Sequence, residues 1–276
     1  MLRVEGLGLA LPDRTVRAGF GPRPMLDILT DVDFSLGRGE TMGLVGESGS
    51  GKTSLGRTLL RLYRPTAGRI LFDGIDITGL DEEALRPLRA RMQIIFQDPL
   101  SALNPRQRIG SIVTRPLAAF GRLPSRAAKR EAAARLLTQV GLPAAFATRF
   151  PHELSGGQRQ RVGIARAIAL EPELVVADEI VSGLDVSSQA QILALLRRLR
   201  QELGLALIFI SHDLSVVRVL CDRVMVLYRG VVVEHGRCAD VFARPQHPYT
   251  RRLLAAAPLP DVDPGWIERV EVVDEA

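Results

Sequence analysis

The chain has 276 residues, 46% hydrophobic and 24% charged, the proportions of an ordinary globular protein long enough for one large domain or a core with an inserted subdomain. The net charge of +5 and pI near 9.8 arise from dispersed basic residues, and aromatics are only 5%, so the charge leans toward work near a membrane surface and away from a nucleic-acid interface. No apolar run approaches the roughly 18 residues of a membrane span. Glu5 interrupts the apolar N-terminus, so no signal peptide is expected, and Cys221 and Cys238 show no metal spacing and read as free thiols in a reducing compartment.

In chain order, "ETMGLVG" (40–46) reads as a short buried strand running into glycines, and "KTSLGRTLLRLYRP" as a helix ending before Pro65. "GRILFDGIDITGL" (68–80) predicts paired strands turning at Asp73-Gly74, and "RMQIIFQDP" (91–99) another strand. The texture then becomes helical up to about residue 160. In "SRAAKREAAARLLTQVGL", Leu136, Leu137 and Val140 share a face and Gly141 caps the end. "PELVVADE" (172–179) is a strand with acids at its end, followed by a helix striped by Ile192, Leu195, Leu196, Leu199 and Leu203 and closed by Gly204. "LALIFISHD" (205–213) is a further strand, and "RVMVLYRGVVVEHG" (223–236) a hairpin turning at Arg229-Gly230. Strands alternating with helices imply an α/β fold with a parallel sheet, into which the helical block is inserted.

Several stretches carry chemistry. "GESGSGKT" (46–53) matches G-x-x-x-x-G-K-[ST] between a strand and a helix. Its glycines allow backbone N–H groups to wrap phosphate, Lys52 reaches the β- and γ-phosphates, and Thr53 offers a hydroxyl to Mg²⁺. Lys52 and Lys129 are the only lysines among 36 basic residues, so lysine persists where a compact ammonium suits phosphate better than a planar guanidinium. Asp178 and Glu179 end a hydrophobic strand, the first placed for Mg²⁺ and the second as general base. Gln97 follows one strand and His212 another, as candidates to position water and to contact a γ-phosphate. "ELSGGQRQR" (153–161) places a serine and a glycine pair at a helix start, a second anion-binding arrangement in a chain that already has one.

The ordered set "GESGSGKT", "FQDP", "LSGGQRQR", "VVADE", "SGLD" and "SHD" resembles the ATP-binding cassette (ABC) family over nearly the whole chain. The resemblance implies an α/β P-loop core with an N-terminal antiparallel portion and a helical subdomain. The expected boundaries are 1–98 with 161–240 for the ATP-binding core, 99–160 for the helical signature subdomain and 241–276 for a C-terminal tail. It implies ATP and Mg²⁺ as cofactors, with Gly46, Glu47, Ser48, Gly49, Ser50, Gly51, Lys52, Thr53 and Ser54 around the phosphates. Thr53, Gln97 and Asp178 would serve the metal, Glu179, Gln97 and His212 catalysis, and Phe20 would stack on adenine. It also answers the doubling of anion sites: two ATPase chains pair head to tail, so Ser155, Gly156, Gly157 and Gln158 would grip the nucleotide of the partner, and Asp185 would link the two sites.

"FQDPLSALNPR", "RFPHELSGGQRQR", "LDVSSQAQIL" and the tail "HPYTRRLLAAAP" resemble the peptide/nickel importer branch, in its second ATPase type without a cysteine-rich tail. That implies an ATP-hydrolysing subunit at the cytoplasmic face of the membrane, beneath two permeases fed by an extracytoplasmic binding protein. Cargo, peptide or nickel, and a hetero- or homodimeric pairing stay open. Ile180 stands where this family usually has proline, which points to a looser turn at Glu179, leans the cargo toward metal, and keeps a non-hydrolysing regulatory subunit in view. A soluble ATPase complex of the phosphonate-breakdown kind also fits part of the pattern. A DNA-repair ATPase is disfavoured by the lack of coiled coils or zinc cysteines.

Overall fold

The computed structural model describes residues 1–13, 23–98 and 102–256. The described residues divide into two compact units, one formed by residues 1–89 with 206–256, the other by residues 90–205.

In the first unit, β1 (Leu2–Pro12) pairs antiparallel with β2 (Met25–Leu36) and β4 (Ala67–Phe72), and β4 turns at Asp73-Gly74 into the short β5 (Ile75–Asp76). The sheet order is β2-β1-β4-β5, the antiparallel portion expected. The core of this unit is β3 (Thr41–Val45), parallel to both β8 (Ala206–Ile210) and β9 (Arg223–Tyr228). Every residue of β3 and β8 is buried, as parallel strands covered on both faces must be. The hairpin from β9 to β10 (Val231–Arg237) turns through Arg229 at φ 48 and Gly230 at φ 82, the two left-handed conformations a tight right-twisted hairpin needs.

Helices α1 (Lys52–Leu59), α7 (Leu214–Leu220), α8 (Cys238–Ala243) and α9 (Pro248–Ala256) belong to this unit, and α2 (Glu82–Arg91) carries the chain out of it. Helix α1 is shorter than its sequence predicts, ending at Leu59 and not at Pro65. Arg61 turns to φ 54, and its buried guanidinium donates to the carbonyls of Ile77 at 2.9 Å and Leu80 at 3.2 Å. A charge-assisted tie to a loop distant in sequence overrides a favourable helical run.

The second unit has its own parallel pair, β6 (Met92–Ile95) and β7 (Leu174–Asp178). Glu173 bonds across the pair's edge, its N–H to the Arg91 carbonyl at 2.8 Å and its carboxylate to the Arg91 guanidinium. The block expected to be helical is so: α3 (Ile109–Ala119), α4 (Arg126–Gln139), two single 3₁₀ turns and α5 (Gly156–Ile168). Ser125 caps α4, Leu136, Leu137 and Val140 are buried, and Gly141 leaves the helix at φ 72. Helix α6 (Val186–Leu203) buries Ile192, Leu195, Leu196 and Leu199 and ends at Gly204, φ 62. Arg161 of α5, 2% exposed, ties these helices together by donating to the Val140 carbonyl and the Gln191 side chain, both at 2.9 Å. Its loss would leave buried acceptors unsatisfied. Arg161→Ala is expected to lower stability by about 2–4 kcal/mol in chemical denaturation, and Arg161→Met, which refills the volume, by less.

Both cysteines are free and buried. Burial, and then the Asp222 carboxylate, push the Cys238 thiol from 9.0 up to about 12. The folded state therefore holds this proton more tightly than the unfolded chain. Its stabilising contribution is full below pH 9 and is lost as pH rises toward about 12. Denaturation followed from about pH 8 to about pH 11.5 should show a decline that is shallower in Cys238→Ala than in the native sequence.

Candidate functional site

The first unit presents the phosphate loop. Strand β3 delivers the chain to Gly46 at φ 149, and a Cβ there would stand 2.2 Å from the Leu227 carbonyl oxygen and 2.9 Å from Ser50 Oγ, so only glycine fits. Gly51, at φ 104, begins α1 with no side-chain cap, a helix start of the kind that suits an anion. Lys52, 5% exposed, arches back and donates to the carbonyls of Gly46 and Glu47, each at 2.8 Å. Ser50 Oγ is buried with no hydrogen-bond partner among the described residues, an orphaned polar atom inside the loop. Ser48 and Gly49 stand exposed at the tip, with Thr53 and Ser54 in the first turn of α1.

The loop is held from outside by groups that its motif does not announce. The Gly230 N–H donates to the Ser50 carbonyl at 3.0 Å, the Leu227 carbonyl abuts Gly46, and the Glu47 N–H donates to the Tyr249 hydroxyl at 2.9 Å. In the sequence Gly230 shows only as a turn residue and Tyr249 only as part of a tail motif. His212 lies exposed just past β8, before Asp213, whose carboxylate caps α7 by accepting from the Ser215 N–H at 2.9 Å. Phe20 lies outside the described residues.

The second unit collects the acids. Asp178, 1% exposed, is the last residue of β7, and Glu179 follows in the left-handed region at φ 48, a conformation costly for glutamate and typical of functional turns. Gln97 Nε2 donates to Glu179 Oε2 at 2.9 Å, so two of the expected catalytic residues meet. Ile180 is 1% exposed, and the Ser182 N–H closes the turn on the Glu179 carbonyl at 3.1 Å. Apolar burial anchors this turn where a proline would restrict it.

The signature forms a capping box: Ser155 Oγ accepts from the Gln158 N–H at 3.2 Å, and Gln158 Oε1 accepts from the Ser155 N–H at 3.0 Å. Neither Gly156 nor Gly157 has a positive φ. A Cβ on Gly156 would meet only Leu184 Cδ2 at 3.6 Å, and one on Gly157 only Ser188, nearest at Oγ 3.4 Å away, so the chain's own packing does not demand glycine there. The same contacts bring the signature beside the 184–188 turn. In that turn Asp185 accepts from the Ser188 N–H and hydroxyl, both at 2.8 Å, and those bonds hold its carboxyl below the usual range. No group of three or more metal-ligating His, Cys, Asp or Glu side chains occurs among the described residues.

Gly46→Ala puts a Cβ into the Leu227 carbonyl at a φ that alanine rarely adopts. It is expected to cost about 2–4 kcal/mol in thermal or chemical unfolding and to abolish nucleotide binding in a titration.

The ABC transporter family model matches residues 29–182. The oligopeptide transport ATP-binding protein AppF of Bacillus subtilis is 49% identical over 247 residues, 88% of this chain and 75% of that protein. OppF of Salmonella typhimurium, named in the same way, is 44% identical over 253 residues, 92% of this chain and 76% of that protein. Among solved structures, the dimeric post-hydrolysis state of the ATP-binding cassette MJ0796 with ADP and Pi superposes with a TM-score of 0.75 at 28% identity, covering 86% of this chain and 99% of that one. The cbiO1 subunit of the cbiONQ ABC transporter complex from Clostridium perfringens gives 0.73 at 29%, covering 88% and 90%. A family match over more than half of the residues, together with relatives this similar along most of both lengths, means that the chain belongs to the ABC transporter family as one of its ATPase subunits.

Proposed function

We propose that the protein is the energy-coupling ATPase of a peptide importer, and that nucleotide-dependent pairing with a second ATPase subunit drives its permeases. The observation that carries the ATP reading is the loop itself: an uncapped helix start, a glycine that tolerates no Cβ, and a buried lysine arched over two carbonyls. In this reading Gly46–Ser54 bind the phosphates of ATP. The hydroxyl of Thr53, the carboxylate of Asp178 and the amide oxygen of Gln97 are hard oxygen donors of the kind Mg²⁺ takes, and these residues would hold the ion that accompanies ATP. The bound metal would neutralise charge on the transferring phosphoryl group.

Glu179 acts as general base for the attacking water, with Gln97 fixing the orientation of its carboxylate. His212 contacts the γ-phosphate. Ser155, Gly156, Gly157 and Gln158 serve the nucleotide bound by the opposite subunit, because glycines that internal packing does not need are best explained by an approach from outside. Asp185, beside the signature, links the two sites. The dimeric state named for MJ0796 agrees with such pairing.

Peptides are the favoured cargo, since the relatives at 44% and 49% identity are named for oligopeptides, whereas nickel rests on the branch resemblance and the lean from Ile180. The remaining partners are two permeases and an extracytoplasmic binding protein, with this subunit peripheral on the cytoplasmic face. Among the described residues no helix is long and apolar enough to cross a membrane.

The test is Glu179→Gln in the assembled complex. ATP turnover should fall by about 10²–10⁴-fold while MgATP still binds. Undiminished turnover would remove Glu179 as base. A wild-type complex that binds ATP without cleaving it would make this a regulatory subunit.

A further inference from the structure

The tail motif "HPYT" has so far been only a family marker, yet its tyrosine touches the phosphate loop. Tyr249, 202 residues beyond Glu47, is 1% exposed, and its ring lies against Tyr228 with centroids 4.2 Å apart. Its hydroxyl accepts the Glu47 N–H at 2.9 Å. That N–H belongs to the peptide unit joining Gly46 to Glu47, and the carbonyl at the other end of the same unit accepts from Lys52 Nζ at 2.8 Å. Turning this plane would break both bonds together. Gly46 at φ 149 restrains the plane little by itself, since glycine is the residue most free to rotate. The restraint must come from its partners.

The hydroxyl is itself held in place. Glu234 of β10 accepts from the Gln246 N–H at 2.8 Å and the His247 N–H at 3.0 Å, mooring the start of α9, and His247 Nδ1 accepts the Tyr249 N–H at 3.1 Å. Burial pushes the phenol above its ordinary pKa, so it remains a neutral hydroxyl able to accept.

We propose that Tyr249 is a positioning residue for nucleotide binding: through the Gly46–Glu47 peptide it orients Lys52 toward the β- and γ-phosphates, so that α9 sets the affinity of the phosphate loop. The proposal rests on Gly46–Ser54 being the ATP loop.

Tyr249→Phe keeps the ring and its contact with Tyr228 and removes only the acceptor. In the assembled complex the KM for ATP should rise about tenfold, what one buried hydrogen bond contributes, with kcat within about twofold of the native value. Affinity for AMP, which brings no β- or γ-phosphate to Lys52, should not change. An unchanged KM overturns the proposal, and so does an equal loss for AMP and ATP, which would mean a general disturbance of the fold. Should Tyr249→Phe fail to assemble, Glu234→Gln loosens the mooring of α9 and should raise KM in the same direction by about threefold; no rise there also overturns it. Failure of the native complex to bind MgATP would instead remove the ATP reading.

Discussion

The structure depends on one constraint: the glycine-rich loop between β3 and α1 must turn backbone N–H groups toward a phosphate and still be held in a single conformation. Peptide groups that face inward are satisfied by their neighbours, and those that face a phosphate cannot be. The chain resolves this by supporting the loop from behind. Strand β3 fixes its entry, α1 its exit, and the β9–β10 hairpin takes the Ser50 carbonyl from beneath. Ser50 Oγ, buried with no hydrogen-bond partner among the described residues, and Lys52, folded onto two loop carbonyls, are the polar groups that a phosphate would meet there.

The second unit meets a different demand. Its acids are displayed by the end of a fully buried strand, and the glutamate sits in a strained left-handed turn that burial of Ile180 keeps in place. Its signature helix satisfies its first donors by a serine–glutamine capping box and begins with two glycines, one exposed and one half-buried, beside the Asp185 cap. Arg161, by bridging α4, α5 and α6, makes these helices one body, so that whatever reaches the signature reaches a rigid surface.

Much of this was legible in the sequence, for reasons particular to each element. The phosphate loop shows itself because backbone conformations available only to glycine leave glycines at fixed spacing. The hairpin at Arg229-Gly230, the caps at Gly141 and Gly204, and the buried strands β7 and β8 follow from turn chemistry and burial on two faces. The length of α1 did not, because it is set by Arg61 bonding to carbonyls 16 and 19 residues away. The long strands β1 and β2 gave no clean alternation, since register shifts after Val4, Leu7 and Leu9 break the two-residue period. The site was read motif by motif, and the bond between Gln97 and Glu179 joins two of its motifs. Support of the loop by Leu227, Gly230 and Tyr249 was invisible, because a backbone bond or a single hydroxyl arriving from far along the chain leaves no pattern.

The measurement closest to the central claim is amide hydrogen exchange across residues 46–54, recorded for the free chain, with MgATP and with adenosine. If these N–H groups are the phosphate ligands, exchange at Gly49 through Thr53 slows strongly with MgATP and is unaffected by adenosine. Exchange that stays fast in the presence of saturating MgATP, or slows equally with adenosine, would contradict the account.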